Sequence, residues 1–123
     1  MSEVFELGPT RLRVVAATEA ATVLEGELQP GAGGAPHAHT REDETILVVA
    51  GSLVVDDGER HELGAGDAHV IPRGTRHAFA NEGAEVARVF FFCAPGGLER
   101  FFRDLVSGVD PAEAAARAGL VLQ

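Results

Sequence analysis

The stretch Pro36-His37-Ala38-His39-Thr40-Arg41-Glu42-Asp43-Glu44, read together with His77, decides how this chain folds. Residues at i and i+2 of an extended strand project to the same face, with Cα atoms roughly 6.5–7 Å apart. The His37 and His39 imidazoles can therefore converge on one ion held at roughly 2.0–2.1 Å from a ring nitrogen of each. Glu44 lies at an odd offset from His39, which a continuous strand would turn to the opposite face. The polar run Thr40-Arg41-Glu42-Asp43 suits a loop or bulge that resets that parity. Beyond it, Glu44, Ile46 and Val48 share one face, and Thr45, Leu47 and Val49 the other. Glu44 is the expected carboxylate ligand, whereas Glu42 and Asp43 are expected to stay solvated.

Flanking segments are short, extended and punctuated by turn residues. Thr10–Ala16 and Ala20–Leu28 read as strands after a poorly patterned lead-in over residues 1–9. Pro30-Gly31-Ala32-Gly33-Gly34-Ala35-Pro36 breaks the pattern, with no Lys-Ser or Lys-Thr pair after it to make a phosphate loop. Further strands are expected at Thr45–Ala50, Leu53–Asp56, Glu59–Leu63, Ala68–Ile71, Arg76–Ala80 and Glu85–Ala94. Asp57-Gly58, Gly64-Ala65-Gly66-Asp67 and Pro72-Arg73-Gly74-Thr75 are turns between them. The apolar run Val89-Phe90-Phe91-Phe92-Cys93 predicts a strand buried on both faces. So many short strands mean an all-β sandwich or barrel, and closure of edges favours a barrel or jelly roll.

After Pro95-Gly96-Gly97 the period changes. Leu98, Phe101, Phe102, Leu105 and Val106 follow helical spacing, so a first helix is expected to pack on the outside of the barrel. Asp110-Pro111 opens a second helix, with Asp as cap and Pro at its first position, which stops at Gly119. The chain of 123 residues reads as one domain, a barrel over roughly 10–95 and a helical tail over 96–123.

Composition excludes several partners. A net charge of −9 argues against nucleic acid and anionic membranes. No apolar run reaches 18 residues, and Met1–Glu6 lacks the basic segment and apolar stretch of a secretory leader. A cytoplasmic location is the expectation. The single cysteine, Cys93, excludes an intrachain disulfide and reads as a small buried hydrophobe.

The second stretch, Gly66-Asp67-Ala68-His69-Val70-Ile71-Pro72-Arg73-Gly74-Thr75-Arg76-His77-Ala78-Phe79-Ala80-Asn81, makes the reading specific. Gly31, His37, His39, Glu44 and Gly51, followed by Gly66, Pro72, Gly74, His77 and Asn81, resemble the two motifs of the cupin superfamily in residue type and spacing. The helical pair after Pro95 is similar to that of small, quercetin-dioxygenase-like cupins. The resemblance implies a double-stranded β-helix with His37, His39, Glu44 and His77 converging inside it, and a homodimer. His69 departs from the family, which usually carries an apolar residue there. It is a candidate cavity residue, as are Phe79, Phe90 and Phe92, while His61 is expected to be exposed. Asn81 reads as a turn residue bonding nearby backbone.

Three neutral imidazoles and a carboxylate leave a divalent ion with net charge +1, which favours an anionic oxygen ligand such as an enolate or phenolate. Such donors suit iron, manganese, nickel, copper or zinc. The resemblance implies a metal-dependent, dioxygenase-like enzyme acting on a small enolic or phenolic compound, with Glu44 as the candidate catalytic base. A redox-neutral isomerase, cyclase or decarboxylase and a non-catalytic binding or metal-stabilised domain are the alternatives. The chain holds no Tyr or Trp, so proton donors other than His, Glu and water are scarce.

Overall fold

Alternation of buried and exposed side chains builds the fold. In a computed structural model, which describes residues 3–122, eleven strands and two helices are formed. Met1, Ser2 and Gln123, the extremes of the expected lead-in and tail, lie outside the described residues. The strands are β1 (Val4–Leu7), β2 (Thr10–Ala17), β3 (Thr22–Leu28), β4 (His37–His39), β5 (Asp43–Ala50), β6 (Ser52–Asp56) and β7 (Arg60–Gly64). They continue as β8 (Ala68–Ile71), β9 (Ala78–Ala80), β10 (Ala87–Ala94) and β11 (Leu120–Leu122), with α1 (Glu99–Val106) and α2 (Pro111–Ala118) before the last. A six-stranded sheet runs β1-β2-β3-β10-β5-β8 and a three-stranded sheet β7-β6-β9, while β4 pairs with β11. All pairings are antiparallel.

The inward face of each strand carries the core: Leu24 and Leu28 from β3, Ile46 and Val48 from β5, Leu53 and Val55 from β6, and Val89 and Phe91 from β10 are all buried. Gly26 faces the same core. A Cβ there would meet the Phe91 ring at 2.9 Å, so the position needs a bare backbone. The four motif glycines, Gly31, Gly51, Gly66 and Gly74, all have positive φ, as turns between short strands require.

Three expectations are corrected. Strand pairing begins at Val4, ahead of the expected start at residue 10, because the β1 register Phe5↔Leu12 buries Phe5. In the tail named for its helices, Leu120–Leu122, just beyond the helix stop expected at Gly119, is a strand that pairs with β4, in register Leu120↔His39 and Leu122↔His37. β10 is buried on one face only: Val89, Phe91 and Cys93 point inward, while Phe92 is exposed. An unbroken apolar run cannot reveal that alternation by periodicity.

The helical pair is capped as expected. Asp110 Oδ2 accepts from the Glu113 N–H at 3.2 Å, Pro111 occupies the first turn, and Gly119 closes α2 in the left-handed conformation. α1, however, does more than cover the outside. Phe102 meets Phe5 with ring centroids 5.8 Å apart, and Leu98, Phe101 and Phe102 line a cavity inside the barrel. Buried Glu99 fixes the helix start by accepting from Thr22 Oγ1 at 2.6 Å.

Asn81 ties strand ends together as the sequence implied. Its Nδ2 donates to Leu28 O at 2.9 Å and Glu85 O at 2.8 Å, and its Oδ1 accepts from Gly83 N–H. Asn81→Ala leaves these buried groups unpaired and should destabilise the protein by about 2–3 kcal/mol. Urea unfolding should show a lower midpoint with an unchanged m value.

Candidate metal centre

The site is assembled by backbone bridges that bring distant segments into register. His37 and His77 form an isolated antiparallel bridge, with His37 N–H donating to His77 O at 2.9 Å and His77 N–H to His37 O at 2.8 Å. Gly74 N–H donates to His39 O at 2.7 Å, so the Pro72–Thr75 turn is locked onto β4. On the other side, β11 holds β4. The Thr40 hydroxyl donates to Gly119 O and the Arg41 guanidinium to Arg117 O. A side chain at Gly119 would be strained at φ 73°, and its Cβ would meet Arg41 Nε and Thr40 Oγ1 at 2.8 Å and force them to shift.

The rings are oriented by what their Nδ1 atoms face. His37 Nδ1 sits 3.1 Å from Ala35 O, His77 Nδ1 2.9 Å from Thr75 O, and His39 Nδ1 2.9 Å from Glu42 Oε1. Carbonyl and carboxylate oxygens only accept, so each Nδ1 must donate. In a neutral ring Nε2 is then the lone-pair nitrogen. One ligand nitrogen from each of the three rings falls within 4.8 Å of those of the other two. Glu44, on the inward face of β5, completes the group: Oε1 is 3.4 Å from His39 Nε2 and Oε2 is 3.3 Å from His77 Nε2.

Three of these atoms are buried with no hydrogen-bond partner: His39 Nε2, His77 Nε2 and Glu44 Oε2. Unsatisfied polar atoms in a protein interior are costly, and a cluster of them around one point is what a cation would satisfy. The His37, His39 and His77 group could hold a metal ion, and its donor set fits one.

Charge is distributed unevenly. Burial, above all, pushes His37 down. Burial also opposes a charge on His39, but Glu42 and Glu44 outweigh it and hold that ring up at about 9. Burial would raise Glu44, yet His39 and His77 outweigh it and bring its carboxyl down to about 2. Cys93, the cross-strand partner of Glu44 on β10, lies with Sγ 3.8 Å from Oε1, and its thiol is pushed up by burial.

A cavity of about 310 Å³ opens from the cluster. Its polar lining includes His37, His39 and Glu44; Phe79, Phe91, Phe101 and Phe102 supply aromatic walls. Phe79, a candidate cavity residue, is one of these walls. Phe90 and Phe92 are not: they belong to the outward face of β10, and Phe91 takes the cavity position. His69 does not line the cavity either, because its ring is drawn to Asp57, 2.8 Å from Nε2. His61 is half-buried against the same carboxylate, not exposed. Glu42, expected in solvent, is buried beneath His39, whereas Asp43 is exposed and paired with Arg73. The sequence did carry a signal for Glu42. It shares parity with Glu44, and a turn after His39 brings it back under that ring.

A profile of the cupin domain matches residues 24–93. The chain belongs to the cupin family. This cupin is 41% identical over 69 residues to the polyketide synthase protein CurC of Streptomyces cyaneus, a match covering 55% of this chain and 45% of that protein. The chain spans about half the length of the curated relatives it matches first. Among solved structures it resembles KdgF from Halomonas sp., with 27% identity and a TM-score of 0.70 over 79% of this chain and 89% of that one. It also resembles Pac13 of Streptomyces, a nucleoside dehydratase, with 25% identity and a TM-score of 0.67 over 80% and 79%. No helix among the described residues is long and apolar enough to cross a membrane.

The charge pattern can be checked by NMR titration of the chelator-stripped protein. His39 should titrate near 9 and His37 below 6.5. Because the His39 value is raised on folding, its contribution to stability is complete below about 6.5 and is lost as pH rises through about 9. Glu42→Gln should lower the His39 midpoint and flatten that pH dependence.

Proposed function

We propose that this cupin holds one divalent transition metal on His37, His39, His77 and Glu44 and performs a redox-neutral conversion, a cyclisation or dehydration, of a small enolic or phenolic compound. The observation that carries this reading is the cavity: aromatic walls lead to a histidine and carboxylate cluster. A flat, largely apolar ligand with an anionic oxygen at one edge matches that polarity. A polyketide is such a compound, with carbonyls flanking acidic methylenes, and the likeness to CurC supports the class.

The bound ion would act as a Lewis acid on the substrate oxygen and acidify the adjacent C–H. The protein's own contributions follow from the geometry. The Phe79, Phe91, Phe101 and Phe102 rings clamp the ligand plane and exclude water. Glu42 fixes the His39 ring through Nδ1 and strengthens it as a donor. The Glu44 carboxylate has two oxygens in the cluster, so one can ligate the ion while the other accepts the substrate proton. Its low pKa makes it a weak base, so it serves only a proton that is already acidified.

An oxygenase could use the same donor set, and oxygen dependence separates the two readings. With a panel of aromatic poly-β-ketones, turnover should persist without O₂ and vanish with chelator. Glu44→Gln should lower kcat by about 10²–10⁴-fold while elemental analysis still finds metal. Turnover that stops without O₂ restores the dioxygenase reading; unchanged kcat in Glu44→Gln removes the base.

The outward face of the large sheet supports a homodimer. Phe92 is 39% and Val70 59% exposed, and they flank Thr45 in register on neighbouring strands, with exposed Val49 on the same face of β5. A second copy of the chain seated on these side chains would remove them from water. Phe92→Glu combined with Val70→Glu should shift sedimentation from dimer to monomer without loss of secondary structure.

A further inference from the structure

Asp57, His61 and His69 lie outside the cavity, and the function proposed above does not use them. They come from three places in the sequence: the turn after β6, the inward face of β7 and the inward face of β8. β7 and β8 are the terminal strands of their respective sheets and are not paired with each other. The three side chains meet across that seam.

Their geometry is convergent. His61 Nε2 is 3.0 Å from Asp57 Oδ1, and His69 Nε2 is 2.8 Å from Asp57 Oδ2. The two rings have centroids 4.1 Å apart. One ligand atom from each of the three residues lies within 4.8 Å of the other two. Around a tetrahedral ion, nitrogens at roughly 2.0–2.1 Å are separated by roughly 3.3 Å, a spacing that small ring rotations can reach here.

The carboxylate is also positioned in advance. Asp57 Oδ1 accepts from Glu59 N–H at 3.3 Å, and Asp57 N–H donates to Glu59 O at 3.2 Å, across a turn in which Gly58 takes φ 106°. Both histidine Nε2 atoms face the Asp57 carboxylate, which supplies the negative charge of the site. The neighbouring cation in sequence, Arg60, is turned to Glu62 and Glu82 and does not neutralise it. The side chains are 19–29% exposed, enough for an ion to arrive from solvent and keep water at a fourth position.

We propose that Asp57, His61 and His69 form a second binding site for a divalent transition metal, one that staples the β7 edge to the β8 edge. Two imidazoles and one carboxylate select zinc, cobalt, nickel or copper over magnesium or calcium. The ion takes the place of the two N–H donors on Asp57: a neutral ring moves its Nε2 proton to Nδ1, a protonated ring releases one proton to solvent, and no electron changes hands. The site shares no residue with the His37, His39, His77 and Glu44 cluster, and it does not depend on the activity proposed for that cluster.

The test is stoichiometry with Zn²⁺ alone. Full-length protein without a histidine tag is stripped with chelator, titrated by calorimetry, then desalted and analysed for metal. Two equivalents per chain are expected, the second accompanied by a rise in Tm. His69→Gln and Asp57→Asn should each bind one equivalent and lose that rise. His37→Gln combined with His77→Gln should lose the other equivalent and keep the rise, so failure of the first centre is read apart from failure of the second. Circular dichroism checks that each variant is folded, and His61→Gln replaces any that is not. A wild-type total of one equivalent, unchanged by His69→Gln, overturns the proposal. So does a second equivalent that survives in all three variants of this cluster.

Discussion

Everything in this cupin turns on the cost of burying polar atoms without partners. His39, His77 and Glu44 are withdrawn almost completely from water, yet three of their polar atoms find no hydrogen bond. A fold selected only for stability would fill such a position with hydrocarbon. Retaining the cluster makes sense when a cation repays it, and the ring orientations agree, since each Nδ1 is occupied by an acceptor and the Nε2 atoms are left to meet.

The architecture can be understood as the means of enforcing that meeting. His37 and His77 are forty residues apart and are joined by a two-bond backbone bridge. His39 is held from both sides, by Gly74 and by the last strand. Glu44 is set by the alternation of β5, whose next inward residues, Ile46 and Val48, are core. Anchoring the donors on paired strands keeps them in place when no cation neutralises them, and the charge moves onto the His39 and Glu44 pair instead. The helical tail is part of the same device. It pins the Thr40–Glu42 turn through Gly119 and Arg117, and it turns Phe101 and Phe102 toward the cavity.

Much of this was legible in the residues, and the remainder was hidden for identifiable reasons. The i, i+2 pair His37 and His39 and the inward parity of Glu44 follow from the two-residue period of a strand. The turn glycines and Asn81 announced the strand ends. The sequence does not single out Phe91 over Phe90 and Phe92, because five apolar residues in a row carry no parity of their own. Glu42 sits in a charged run that reads as solvated, although a histidine three residues earlier gives it a buried partner. Leu120–Leu122 is too short to declare itself a strand before its partner is known. The Asp57, His61 and His69 cluster depends on the packing of two sheet edges, which no local pattern encodes.

The most direct measurement is anomalous diffraction from crystals of untagged protein, collected at the absorption edge of whichever metal elemental analysis finds. The account predicts a peak roughly 2.0–2.3 Å from Nε2 of His37, His39 and His77 and from one Glu44 oxygen. Crystals soaked in saturating metal that show no peak at that point, with Glu44 still lying against His39 and His77, would contradict it.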